Sequence, residues 1–141
     1  MAIFVADASV TLAWCFEDEA TDWTDSLLDR LRAGDRIMVP AHWPTEISNG
    51  MVLALRRKRI QPGRPALFWD ALAILPIGVE PPLSPLQAKA VLALCALHGL
   101  TAYDATYLEL AKRKDLPLAT LNTDLIRAAS AEGIALVSNQ P

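Results

Sequence analysis

The chain has 141 residues, 52% of them hydrophobic, a formal net charge of −3 and two cysteines. That is enough apolar material for one domain with its own core and too little length for a second, and the negative balance excludes a protein whose whole surface attracts nucleic acid while leaving room for a local basic patch. No CxxC pair occurs and no apolar run approaches the roughly 18 residues needed to span a bilayer, so the expectation is a reduced, cytoplasmic protein with no membrane partner and with Cys15 and Cys95 in its core.

Residues 3–6, IFVA, form a short apolar run that stops at Asp7, which predicts a buried strand with a carboxylate at its C-terminal end. Ser9 is placed to cap a helix beginning near Val10, and Glu17, Asp18 and Glu19 interrupt that helix in an acidic turn. A second helix is predicted over 21–33, with Gly34 as its stop, and a strand over 37–39. Pro44 or Thr45 opens a third helix, because proline is tolerated where its missing N–H would find no partner; Glu46 falls in the first turn. That helix ends in Arg56, Arg57, Lys58 and Arg59, which read either as cations favoured by the C-terminal dipole or as a patch that contacts phosphate.

Residues 60–65 read as a connection punctuated by proline and glycine, 68–75 as a helix and 77–79 as a third strand. Ser84 and Gln87 form a capping box around Pro85 and start a helix that runs to His98 and closes at Gly99. Its body, 90–97, is apolar on nearly every face, so it should be covered on more than one side, as a central core helix or at a subunit interface. Thr101 caps the next helix, which carries Asp104 in its first turn and Lys112, Arg113 and Lys114 at its end. A fourth strand is expected over 116–121, a final helix over 123–132 and a last strand over 134–137. Short strands alternating with helices define a single α/β domain over 1–141, with a mostly parallel central sheet and helices on both faces.

In such sheets ligands bind beyond the carboxyl ends of the strands, where Asp7 and Asn122 fall. Taken singly, Glu46 and Asp104 are explained by the helix dipole. As a set the acidic residues are costly: two carboxylates about 5 Å apart at an effective dielectric near 20 repel by about 3 kcal/mol unless a cation or protons neutralise them. An oxygen-only donor set without Cys or clustered His points to Mg²⁺ or Mn²⁺ rather than zinc. The matching chemistry is metal-assisted phosphodiester hydrolysis.

Four motifs occur in order: VADAS around Asp7, WPTEISNGM around Glu46, TAYDATYLELA around Asp104, and LATLN leading to Asp124. On these the whole chain resembles the PIN-domain ribonucleases, and in length and motif order it is similar to the VapC toxins of bacterial type II toxin–antitoxin systems. The resemblance implies a PIN-like fold and a metal-dependent endoribonuclease in which Asp7, Glu46 and Asp104 supply carboxylates to Mg²⁺ or Mn²⁺. The family's last motif usually reads Thr, any residue, Asp; here the aligned position is Asn122, so the fourth ligand and catalytic role falls to Asn122 or to Asp124. Ser9 and Thr120 are similar to family hydroxyls that orient a carboxylate or a water, and Asn49, one turn after Glu46, would support it. Family members are homodimers held inactive by a small antitoxin in an apolar groove, for which Trp14, Trp23 and Trp43 are candidates unless they pack in the core. The alternative is a PIN-like binding or scaffolding module. An aspartyl-phosphate enzyme fits poorly, because DASVT has Ser9 where that chemistry wants a second Asp.

Overall fold

A computed structural model describes residues 1–137 of the chain. Four strands, β1 (Ile3–Ala6), β2 (Arg36–Val39), β3 (Ile77–Val79) and β4 (Leu118–Ala119), lie in the order β3-β2-β1-β4, and every pairing is parallel. The helices are α1 (Ala8–Cys15), α2 (Asp22–Arg32), α3 (Trp43–Arg56), α4 (Arg64–Ala73), α5 (Pro85–His98), α6 (Ala102–Lys114) and α7 (Thr123–Ala131), with a 3₁₀ turn at Glu17–Glu19. From β1 the chain steps outward to β2 and β3, then returns to place β4 on β1's other side. The strand order therefore reverses between β1 and β4, and the crevice beyond their carboxyl ends is where such a fold binds ligands.

Polar groups decide where β4 stops. The N–H of Leu121 donates to Ser9 Oγ (3.0 Å) and that of Asn122 to Thr120 Oγ1 (3.0 Å), so the backbone leaves the ladder earlier than an apolar reading of 116–121 predicts. The expected last strand over 134–137 contracts to a single parallel bridge between Leu118 and Leu136. Two helix starts are also corrected. The first helix begins at Ala8 with Asp7 in the N-cap position, so Ser9 lies inside it and its hydroxyl is free for Asp7; α4 begins at Arg64 with Pro65 in its first turn, four residues ahead of the expected start. The capping box at Ser84 and Gln87 and the left-handed Gly99 (φ +66°) bound α5 as expected.

Phe4, Val5 and Ala6 of β1, Ile37 and Val39 of β2 and Leu118 of β4 form the centre of the core, against which α6 is buried continuously from Ala105 to Ala111. By contrast α5 buries only Val91 and Leu94 and leaves Leu86, Leu92 and Leu97 exposed, Leu97 at 71%. It is not a central core helix, because those three leucines face outward. Trp23 and Trp43 are core residues and are removed as groove candidates, whereas Trp14 is half-buried, with its indole N–H on the carbonyl of Thr24 (2.8 Å). Trp14 borders an open cleft of about 480 Å³ between α2 and α4, lined also by Leu28, Leu67 and Ile74. Cys15 and Cys95 are free thiols, buried and half-buried. No single described helix is long and apolar enough to cross a membrane.

Candidate active site

Asp7 stands at the mouth of the crevice, 4% exposed. Ser9 Oγ donates to its Oδ1 (2.5 Å) and Thr120 Oγ1 to its Oδ2 (2.5 Å), so residues from α1 and the end of β4 hold the carboxylate from both sides. Burial raises its pKa to about 6 despite these two bonds, and the charge of Asp104 pushes the same way. Ser9 and Thr120, the two hydroxyls expected near the site, thus both lie on the Asp7 carboxylate.

Asp104 sits in the first turn of α6, where Thr101 caps the helix by accepting from the Asp104 N–H (3.2 Å). Its carboxyl pKa is raised by burial and by the charge of Glu46, and more weakly by Asp124, against the lowering effect of the Asn122 and Thr101 hydrogen bonds. Asn122 Nδ2 donates to Asp104 Oδ2 (3.2 Å), while Asn122 Oδ1 accepts from the N–H groups of Asp124 (2.9 Å) and Leu125 (3.2 Å). The one atom of Asn122 able to touch a metal is therefore committed to capping α7. Asn122 acts on Asp104 as a donor, and its expected place among the ligands would draw on the oxygen that caps α7. Asp124 is in the first turn of α7, is exposed and pairs with Arg127 (3.4 Å); its charge reaches Asp104.

Glu46, in the first turn of α3, is held by residues other than the expected one. Tyr107 Oη donates to Glu46 Oε1 (2.6 Å), and His42 Nε2 lies 2.9 Å from the same oxygen, poorly aligned for a hydrogen bond. Burial works to raise the Glu46 pKa, yet the His42 and Tyr107 contacts outweigh it and hold it below the ordinary value. Burial and the neighbouring carboxylate keep the Tyr107 phenol protonated, so it remains a donor. Asn49 is exposed and has no bond to Glu46 among the described residues, so its expected supporting role is not realised. Sequence reasoning missed His42 and Tyr107. The spacing carried a signal: His42 precedes Glu46 by one helical turn, and Tyr107 follows Asp104 by three residues on the same face of α6.

The donors fit a hard divalent cation in type. They are all oxygen, and burial first, with neighbouring carboxylates adding to it, raises the pKa values of Asp7 and Asp104, an effect that a bound cation would oppose. Among the described residues no three Asp, Glu, His or Cys side chains close around one point. Mg²⁺ accepts such an open arrangement, because it takes one or two carboxylates and keeps several waters. The basic run is partly committed elsewhere: Arg59 binds Asp18 and Glu19 (3.0 Å each) and covers the Phe16 ring, while Arg56, Arg57 and Lys58 are exposed without ion pairs among the described residues.

Fold and crevice define a doubly wound α/β domain with an acidic site at its switch point. The family model for the PIN domain matches residues 4–131, and the chain belongs to that family. Among solved structures the chain is similar to PAE2754 from Pyrobaculum aerophilum (TM-score 0.67, 20% identity, covering 90% of this chain and 79% of that one). It is also similar to VapBC2 from Rickettsia felis, solved with a DNA fragment from the promoter (TM-score 0.66, 14% identity, 96% and 97% covered). A third neighbour is Mycobacterium tuberculosis VapC20, described as a toxin that cleaves the sarcin-ricin loop (TM-score 0.65, 18% identity, 99% and 100% covered). No curated protein sequence matches significantly.

Proposed function

We propose that the chain is a Mg²⁺- or Mn²⁺-dependent endoribonuclease of the VapC type, acting in the cytoplasm as the toxin of a toxin–antitoxin pair. The observation that carries this reading is the Asp7 carboxylate, buried at the switch point, gripped by two hydroxyls and sensitive to the charge of Asp104. Support from outside the chain comes from the PIN family match and from a neighbour described as an RNA-cleaving toxin.

Asp7 and Asp104 would hold the cation, with Glu46 reaching it directly or through water. When bound, the ion supplies an activated water and neutralises charge developing on the scissile phosphate. Ser9 and Thr120 fix the orientation of Asp7; Asn122 does the same for Asp104, and Tyr107 and His42 for Glu46. Such outer partners set where the carboxylates point and how tightly they bind. Asp124 adds negative potential without direct contact.

Two apolar surfaces suit the protein partners of this reading. The cleft between α2 and α4 fits an apolar segment of the antitoxin, and the exposed leucines of α5 fit a second copy of the chain. The purified chain, freed of any antitoxin, should cut a pool of structured RNA with Mg²⁺ or Mn²⁺ and stop when the metal is chelated. Failure to cut any RNA under those conditions would overturn the enzyme reading in favour of a binding module.

A further inference from the structure

Beside the acidic cluster lies a second cavity, of about 320 Å³, whose walls come from three separate parts of the chain. Pro40 and His42 form one side, Pro81, Pro82 and Leu83 the second, and Tyr103 of α6 the third. The lining is largely apolar, and three of its members are prolines, whose fixed φ leaves little to reorganise when a ligand enters. The cavity meets the acidic site through His42, which contacts Glu46 and whose ring neighbours Tyr103. A ligand occupying the cavity would therefore adjoin whatever the carboxylates act upon.

Tyr103 is the wall that needs a reason. The residue is 64% exposed although it stands in a largely apolar hollow, and its ring centroid lies 5.6 Å from that of His42 at an interplanar angle of 56°. His42 in turn meets Tyr107 edge-on at 5.2 Å, so it is braced from behind while Tyr103 keeps an open face. At the far end of the cavity Arg113 is bound by Glu109 (2.7 Å) and more loosely by Glu80 (3.4 Å). That distance is long for a charge-assisted bond, so Glu80 retains accepting capacity and Arg113 donating capacity toward the cavity.

We propose that this cavity is a nucleobase subsite, which receives unpaired bases next to the scissile phosphate: one stacks on Tyr103, and because about 15 Å of helix rise separates Tyr103 from Arg113, the edge of the next is read by Glu80 and Arg113. The assignment rests on the ribonuclease reading and adds its specificity determinant. Single-stranded RNA is recognised by stacking splayed bases on aromatic side chains and hydrogen-bonding their edges. Two carboxylates and one guanidinium disfavour a phosphate here. A carboxylate beside a guanidinium matches an exocyclic amine beside a bare ring nitrogen, the edge shared by adenine and cytosine.

The test is binding of fluorescently labelled five-nucleotide adenine, cytosine and uracil oligoribonucleotides to the full chain in EDTA, where affinity is read without any cleavage. The subsite predicts that adenine and cytosine oligomers bind more tightly than uracil, that Tyr103→Ala weakens them about tenfold, that Tyr103→Phe restores affinity, and that Glu80→Gln narrows the preference. Because Tyr103 is exposed, an unchanged melting temperature will show that the alanine variant is folded. Equal affinity of wild type and Tyr103→Ala for all three oligomers overturns the subsite, and this includes the case of a cavity that takes a protein segment instead. Since no catalysis is required, a chain that binds in this pattern but never cuts RNA would keep the subsite and sink the nuclease reading. One that cuts RNA with Tyr103→Ala unchanged in binding would do the reverse.

Discussion

Asn122 and Asp104 are joined by a 3.2 Å hydrogen bond in which the amide Nδ2 donates to the carboxylate, while the amide oxygen caps α7. The two ends of one side chain thus serve the site and the fold. A carboxylate at this position could still cap the helix, but its second oxygen would face Asp104 and repel it. Asn122→Asp should therefore bind Mg²⁺ or Mn²⁺ about tenfold more tightly and be less stable without metal, as measured by calorimetric titration and by melting in EDTA. Asn122→Ala should lose about 1 kcal/mol of stability with the cap. Asp124→Ala should change metal affinity less than Asn122→Ala does.

Asp7 makes the metal-free protein sensitive to pH in a defined direction. Its folded pKa, about 6, lies above the ordinary 3.8, so its contribution is most favourable below pH 4 and is lost as pH rises through 6. The full difference is worth about 3 kcal/mol. Glu46 and Glu132, whose values are lowered, oppose this trend, so the comparison must be with Asp7→Asn. Denaturant unfolding in EDTA should show wild type losing stability relative to Asp7→Asn between pH 4 and 7, and saturating Mg²⁺ should remove most of that loss.

Tyr107→Phe deletes the donor to Glu46 while keeping the buried ring. Hydrogen bonds to charged groups are worth about 1.5–3 kcal/mol, and partial exposure of Glu46 places the expected loss near 1 kcal/mol. Glu46 is held below its ordinary pKa, so the Tyr107 contribution should be present at pH 7 and fade as pH falls through the titration of Glu46. Melting curves of the two proteins should converge in acid.

The outward face of α5 gives a prediction about assembly. If Leu92 and Leu97 meet a second copy, Leu97→Asp should convert a dimer to a monomer in sedimentation experiments without lowering the monomer's helix content. A wild-type chain that is monomeric at high micromolar concentration would remove this face as the interface.

How much of this was legible in the sequence depends on the kind of force involved. The alternation of apolar runs and capped helices is local, and it placed β1, β2, β3 and most helix boundaries correctly; Thr21, Ser84 and Thr101 mark real N-caps. The end of β4 was not legible, because its N–H groups are taken by Ser9, more than a hundred residues away, and by Thr120. The crowding of Asp7, Glu46 and Asp104 was inferred from motif order and strand ends, and the structure links their charges. The holders of Glu46 were misassigned because Asn49 is its neighbour along the helix, whereas Tyr107 arrives from another element. Of the two covers expected for α5, the core placement fails for a related reason: hydrophobicity shows that a helix must be covered, not what covers it.

The central claim is that Asp7 anchors a metal-dependent RNA-cleaving site, and its most direct test is RNA cleavage by wild type and Asp7→Asn, side by side, with Mn²⁺ and with EDTA. The account predicts cleavage by wild type only when metal is present, and none by Asp7→Asn although that variant is folded and no less stable near neutral pH. Cleavage by Asp7→Asn at the wild-type rate, or wild-type cleavage undiminished by EDTA, would contradict it.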